Sequence, residues 1–221
     1  MEGIKAALFD ASGTLIQIWP QIWLEPAAAA QAAQIDWSRL HLAREPFMRF
    51  GQRTRNNKTL AEAKESFQIL IRELAELVQF NDPEAAAEVV MSQVFDPKLW
   101  PLLPGAIETL TTLKARGIKL AVVSNWDSLL RGILDSLEIS PLLDAIVLSG
   151  EVGVSKPDPE IYRIALSQLG VNANEAVHVG DSQENDLQAA QQVGIRTILI
   201  DPRGQTPGSV QELKEVVRLL T

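Results

Sequence analysis

Apolar positions along the chain follow two rhythms, and the change between them divides the sequence. Ile4, Ala6, Ala7, Leu8 and Phe9 form a nearly unbroken apolar run. That pattern suits a strand buried on both faces of a parallel sheet better than one alternating between core and water. The run stops at Asp10, and Gly13 ends it in a turn. From Ile16 to about Leu99 the spacing is helical. Pro26 followed by AAAAQAAQI predicts a helix with proline in its first turn. Over residues 59–80, Leu60, Ala63, Phe67, Leu70, Ile71, Leu74, Leu77 and Val78 recur at steps of three and four, a broad apolar stripe. Asp82, Pro83 and Glu84 open a further helix whose buried side is Ala86, Ala87, Val90, Met91 and Val94.

Beyond Pro101 and Pro104 strand and helix alternate. Apolar runs at 118–123, 145–148, 176–181 and 195–200 read as strands, and amphipathic stretches at 107–114, 128–137, 160–169 and 187–193 as helices, two of them closed by Gly117 and Gly170. Such alternation with short connections predicts an α/β protein, a doubly wound parallel sheet. Residues 1–15 and 100–221 would form it, with an all-helical insertion at 16–99. No internal repeat interrupts this plan.

Composition narrows the class. Hydrophobic residues make up 46% of the 221, which excludes disorder as the main state. A net charge of -8 and a pI of about 4.9 argue against nucleic acid and anionic membranes as partners. With no cysteine, disulfides, thiolate metal sites and a cysteine nucleophile are ruled out. The stretch MEGIKAALF lacks the basic region and apolar core of a signal peptide, and no apolar run is long enough to span a bilayer. The expectation is a soluble, cytoplasmic protein, monomer or homodimer.

The candidate chemistry lies at strand ends. Asp10 alone reads first as a turn cap, but Asp10, Ser124, Lys156 and Asp181 each follow a different predicted strand or lie in the loop after it. In a parallel sheet such residues converge on one edge. Two facing carboxylates repel unless a cation lies between them, and oxygen ligands of this kind suit Mg²⁺. A lysine and a serine hydroxyl nearby would hold the remaining oxygens of a phosphoryl group. In the helical insertion, Arg53, Arg55 and Lys58 stand together in RTRNNKT, either a solvated turn or a positive loop that meets an anionic substrate. His178, inside an apolar strand, reads as a packed core residue, and His41 as a surface one. Trp19, Trp23 and Trp126 would line the substrate entrance or pack the insertion on the sheet.

Taken together, FDASGTL, VVSNWD, VSKPDPEIY and VGDSQEND resemble, in order and spacing, the four motifs of the haloacid dehalogenase-like hydrolase superfamily. The resemblance covers nearly the whole chain. It implies Asp10 as nucleophile, Ser124 binding the transferred group with Asn125 beside it, Lys156 as the motif lysine, Asp181 as metal ligand and Asp186 as a supporting acid. The backbone carbonyl of Ser12 would be a further metal ligand. The helical insertion is similar to the family's cap, which closes over the sheet edge. One departure stands out: family phosphatases carry an acid/base aspartate two positions after the nucleophile, where this chain has Ser12, whose hydroxyl is a poor proton donor or acceptor near neutral pH. The implied activity is a Mg²⁺-dependent phosphatase for a small phosphorylated molecule, acting through an aspartyl-phosphate and weakened at position 12. The alternatives are a 2-haloacid dehalogenase, a phosphonatase using Lys58 or Lys64 for a Schiff base, and a non-catalytic binding protein on the same fold.

Overall fold

The structure, a computed structural model, describes residues 3–31, 35–54, 57 and 59–220. Five parallel strands form one sheet in the order β3-β2-β1-β4-β5: β1 Ala6–Phe9, β2 Lys119–Ser124, β3 Ala145–Leu148, β4 Ala176–Gly180 and β5 Arg196–Leu199. The central strand is apolar throughout because both its faces are covered. Ala7 and Phe9 point into one cluster with Leu120, Val122, Val177 and Val179. Ala6 and Leu8 point into the other with Ala121, Val123, Ala145 and Val147. After β1 the chain builds outward to β2 and β3, then returns to the other side of β1 for β4 and β5. Strand order therefore reverses at β1, and the crevice of an open α/β sheet opens at such a switch point, outside the strands' carboxyl ends.

Among the described residues four α-helices fall within 16–99, ahead of the helix that leads into β2: α1 Pro20–Gln31, α2 Arg44–Thr54, α3 Leu60–Leu77 and α4 Pro83–Ser92. Thr59 and Glu62 close a capping box on α3, satisfying two of its free N-terminal donors. An aromatic seam joins these helices to the sheet region. Trp23 stands 5.2 Å from both Phe67 and Trp100, and Trp100 lies 5.8 Å from Trp126, just past β2. The remaining helices cover the sheet: α5 Ala106–Ala115, α6 Leu129–Ser136, α7 Ser149–Val152, α8 Glu160–Leu169, α9 Ala189–Gln191 and α10 Leu213–Leu220. Among the described residues no helix is long and apolar enough to cross a membrane.

Two expectations shift. α1 begins at Pro20, so Pro26 lies inside the helix and not in its first turn. Burial of Trp23, Leu24 and Ala27 on one face offsets the backbone hydrogen bond that Pro26 cannot donate. Residues 183–188, expected to be partly α-helical, instead form a single π-helical turn that runs into α9.

Candidate active site

Each functional side chain reaches the crevice by the route its strand dictates. Asp10 follows β1 directly, Asp181 follows β4 directly, and Ser124 is the last residue of β2. The Asp10 N–H donates to Val179 O at 2.9 Å, which ties the turn after β1 to β4. Lys156 comes from the long connection after β3, so its position must be fixed by something other than the sheet. Asn125 does this: its Nδ2 donates to Lys156 O (2.8 Å) and its Oδ1 accepts from Lys156 N–H (2.7 Å). All six of Asp10, Ser124, Asn125, Lys156, Asp181 and Asp186, together with Ser12, line one cleft of about 110 Å³.

On the floor of the cleft the charges are buried and paired. Lys156, only 3% exposed, donates at 2.7 Å to Asp10 Oδ1 and at 2.7 Å to Asp186 Oδ1. His178 Nε2 lies 2.9 Å from the same Asp186 oxygen, which can only accept, so that nitrogen carries the proton. Asp186 Oδ2 accepts from Ser182 N–H at 3.0 Å. Burial alone would raise the Asp186 carboxyl, but the His178 hydrogen bond and the Lys156 charge outweigh it and hold that group well below the usual carboxylate range. Asp10 goes the other way: burial, with Asp186 close by, raises it despite Lys156. Lys156 is raised because its two carboxylates outweigh the cost of its burial. One lysine thus balances two acids, and a buried triad of this kind persists only while every member keeps its partners.

Asp181 adds a third acid, and among the described residues no cation forms an ion pair with it. Loss of water around its carboxyl, and then the charges of Asp10 and Asp186, push it up to about 7, although the residue as a whole stands exposed at the rim. Asp10, Asp181 and Asp186 each place a carboxylate oxygen within 4.8 Å of the others. Three hard oxygen donors with a surplus of negative charge fit a divalent cation. Two glycines make room for this set. Gly13, at φ +79°, adopts a conformation that side-chain-bearing residues rarely take, and a Cβ there would run into the Asp181 carboxylate. A Cβ on Gly180 would overlap Asp186.

The cationic cluster of the helical insertion is not assembled as expected. Arg53 lies on the last turn of α2, 3.4 Å from Glu73 of α3, and is absent from the cleft lining. Its pairing with Glu73 follows from α2 continuing two residues further, to Thr54, than a loop at RTRNNKT allows. Arg55 and Lys58 lie outside the described residues. Trp23 is fully buried, its indole N–H donating to Leu99 O at 2.9 Å, and Trp126 is buried in the aromatic seam. Trp19 is 52% exposed and lines a second cavity of about 590 Å³ beside Ser12 and Asp181. His41 is exposed, as its surroundings suggested.

Sequence reasoning missed three contributors. His178 is buried as expected, yet it orients Asp186. Ser182 supplies a backbone donor to the same carboxylate, for which the residues following Asp181 offered no pattern. Asn57, just after α2, donates to Asp127 Oδ2 at 2.5 Å and to Ser66 Oγ at 3.0 Å, joining the insertion to the loop that follows Ser124 and carries Asn125.

Comparison with known proteins identifies the family and the fold. The model of the haloacid dehalogenase-like hydrolases matches residues 4–194, and the chain belongs to that family. It is similar to a phosphoserine phosphatase from Thermus thermophilus, 35% identical over 126 residues, covering 57% of this chain and 50% of that protein. It is also similar to (S)-2-haloacid dehalogenase 4A from Burkholderia cepacia, 28% identical over 211 residues, 94% of this chain and 87% of that one. The chain spans about half the length of some curated relatives it matches, 49% for haloacid dehalogenase-like hydrolase domain-containing protein 3 of Mus musculus at 42% identity over 123 residues. A solved dehalogenase structure shares the fold, with a TM-score of 0.77 over 99% of this chain and 98% of that chain at 24% identity.

Proposed function

We propose that this hydrolase is a Mg²⁺-dependent phosphatase for a small phosphorylated molecule, with residues 16–99 acting as a cap over a core made of 1–15 and 100–221. The observation that carries the reading is the set of three carboxylates around Lys156. Their oxygens gather within 4.8 Å at the end of β1, in a cleft whose 110 Å³ suits a phosphoryl group. Asp10, Asp181, Asp186 and the backbone of Ser12 would hold Mg²⁺, which when bound neutralises charge on the phosphoryl oxygens and orients them.

A carboxylate oxygen of Asp10 attacks phosphorus. The bond from phosphorus to the leaving oxygen breaks, its electron pair staying with that oxygen, and an aspartyl-phosphate remains. Water then attacks the same phosphorus, the bond from phosphorus to the Asp10 oxygen breaks with its electron pair returning to the carboxylate, and inorganic phosphate leaves with the water's proton passing to the phosphate or to solvent. Lys156 and the Ser124 hydroxyl supply donors for the phosphoryl oxygens in both steps, while Asn125 keeps the lysine in place. His178 and Ser182 hold Asp186 ionised and oriented. Ser12 offers neither a proton to the leaving oxygen nor a base to the attacking water, so stable anions such as aryloxides leave best.

A second reading, attack of Asp10 on the carbon of a 2-haloacid without metal, has its own support. The Burkholderia dehalogenase aligns over nearly the full length of both chains. Three acids with one lysine would, however, repel a carboxylate substrate. The discriminating experiment assays phosphate esters and 2-haloacids with and without Mg²⁺. Ester hydrolysis that vanishes on chelation supports the phosphatase. Halide release in the presence of chelator, with esters untouched, replaces it with the dehalogenase.

A further inference from the structure

The cleft around Asp10 is too small for more than the group being transferred, so the rest of a substrate must lie elsewhere. Cavities that hold small organic ligands run from about 300 to 1,000 Å³. The adjoining cavity of about 590 Å³ falls in that range, and Ser12 and Asp181 line both spaces, so it opens where the leaving group must emerge. Its walls have a definite character. Ile18, Leu103 and Pro202 are apolar, and Trp19 presents the largest exposed aromatic face beside the site. Among the described residues Arg203 is the one cation of the lining.

Two features make Arg203 more than a stray surface charge. Its loop is built in advance: the Asp201 carboxylate accepts from the backbone N–H groups of Arg203 (3.0 Å), Gln205 (2.9 Å) and Thr206 (2.9 Å). That carboxylate is thereby occupied by backbone, and among the described residues no acid forms an ion pair with the Arg203 guanidinium. Further out, a cavity of about 460 Å³ continues past Gln17, Leu103 and Pro202 toward α10. Its cation, Lys214, is already paired with Glu212, and Glu108 adds another negative charge to that wall. An anionic group is therefore attracted as far as Arg203 and no farther.

We propose that this cavity is the leaving-group site and selects a flat aromatic group bearing a second anionic substituent, the ring against Trp19 and the anion on Arg203. The assignment rests on the phosphatase reading and gives it a substrate class, an aryl phosphate with a carboxylate across the ring. It also agrees with Ser12, since an aryloxide departs without a positioned proton.

The test compares phenyl phosphate with para-carboxyphenyl phosphate in the full chain with Mg²⁺, for wild type, Arg203→Gln and Trp19→Ala. Arg203→Gln should lower kcat/KM for the carboxylated ester about tenfold more than for phenyl phosphate, chiefly through KM, as expected for one charged hydrogen bond in a partly open site. Trp19→Ala should weaken both aryl esters relative to glycerol phosphate. Titration calorimetry with para-hydroxybenzoate reads the pocket without turnover: wild type should bind it and Arg203→Gln should bind about tenfold more weakly. If no ester is hydrolysed yet this binding difference is present, the pocket stands and the phosphatase reading falls. Equal losses for the two esters in Arg203→Gln, or equal binding of para-hydroxybenzoate by the two proteins, would overturn the assignment of Arg203.

Discussion

The floor and the rim of the cleft are built on opposite terms. On the floor, Asp10, Lys156, His178 and Asp186 are buried and bound to one another at 2.7–2.9 Å. At the rim, Trp19, Asp181 and Arg203 are exposed, and no ion pair joins the two charged ones to any described residue. Removing one member of a buried, mutually satisfied set leaves uncompensated charge behind, whereas a rim residue changes only what it touches. The floor should therefore fail abruptly under substitution, and the rim should respond by degrees and by substrate.

The largest effect belongs to Asp10→Asn, which keeps the shape and removes the proposed nucleophile. Turnover of every phosphate ester should fall by about 10⁴-fold or more, while the fold survives. A variant that retains even a hundredth of wild-type activity would place the nucleophile elsewhere. Next comes a gain at the rim. Ser12→Asp should raise alkyl-ester turnover by roughly 10²-fold to 10⁴-fold and aryl-ester turnover much less, because it supplies the missing proton where the leaving group needs one. Equal gains for both ester classes would show that position 12 does not face the leaving oxygen.

Lys156→Met tests the floor as structure. With Asp10 and Asp186 left facing each other without their cation, stability should drop by about 3–5 kcal/mol, read as a shift in the denaturation midpoint. Added Mg²⁺ should recover part of that loss. The hydrogen bond between insertion and core is worth less: Asn57→Ala leaves Asp127, fully buried and already raised by burial, without its side-chain donor, at a cost of about 1–3 kcal/mol. No change in denaturant midpoint would mean that the aromatic seam alone sets this contact.

The smallest effect is one of pH. Asp181 is raised from its ordinary value to about 7, so the folded, metal-free chain binds that proton more tightly than the unfolded chain does. Its contribution is fully present below about 4, the unfolded carboxylate value, and is lost as pH rises through about 7. Mg²⁺ affinity should run the opposite way, rising over the same window and levelling off above it. Asp181→Asn should remove both slopes, and a wild-type Mg²⁺ affinity independent of pH between 5 and 8 would deny Asp181 a place at the ion.

These same two regions differ in how readily the sequence discloses them. Asp10, Ser124 and Asp181 could be placed together because parallel strands deliver their ends to one edge, so local apolar runs are enough to locate them. Lys156 sits in a loop that β3 delivers to the same edge, but its final placement comes from the two bonds to Asn125. His178 is a different matter: a histidine inside an apolar strand looks the same whether it merely packs or orients an acid eight residues later. Asn57 and Asp127 are separated by 70 residues, and nothing local marks their bond. α2 escaped notice because it buries only Pro46 and Thr54, too few for a stripe, and this put Arg53 in a loop it does not occupy. α10 is short and follows a stretch rich in glycine and proline, where only tertiary packing of Leu213, Val216 and Leu220 selects a helix. Arg203 lies in the polar sequence PRGQTPG, which reads as a turn and gives no sign that it flanks the site.

The central claim, that Asp10 attacks phosphorus, is open to one direct measurement. Mixing the protein with an aryl phosphate and Mg²⁺, quenching in acid and mapping the peptides by mass should find a phosphoryl group on the peptide carrying Asp10. The signal should disappear in Asp10→Asn and on chelation of the metal, and it should persist longer in wild type than in Ser12→Asp. Ester turnover with no such adduct, or a carbon-linked ester on Asp10 formed from a 2-haloacid without metal, would contradict the account.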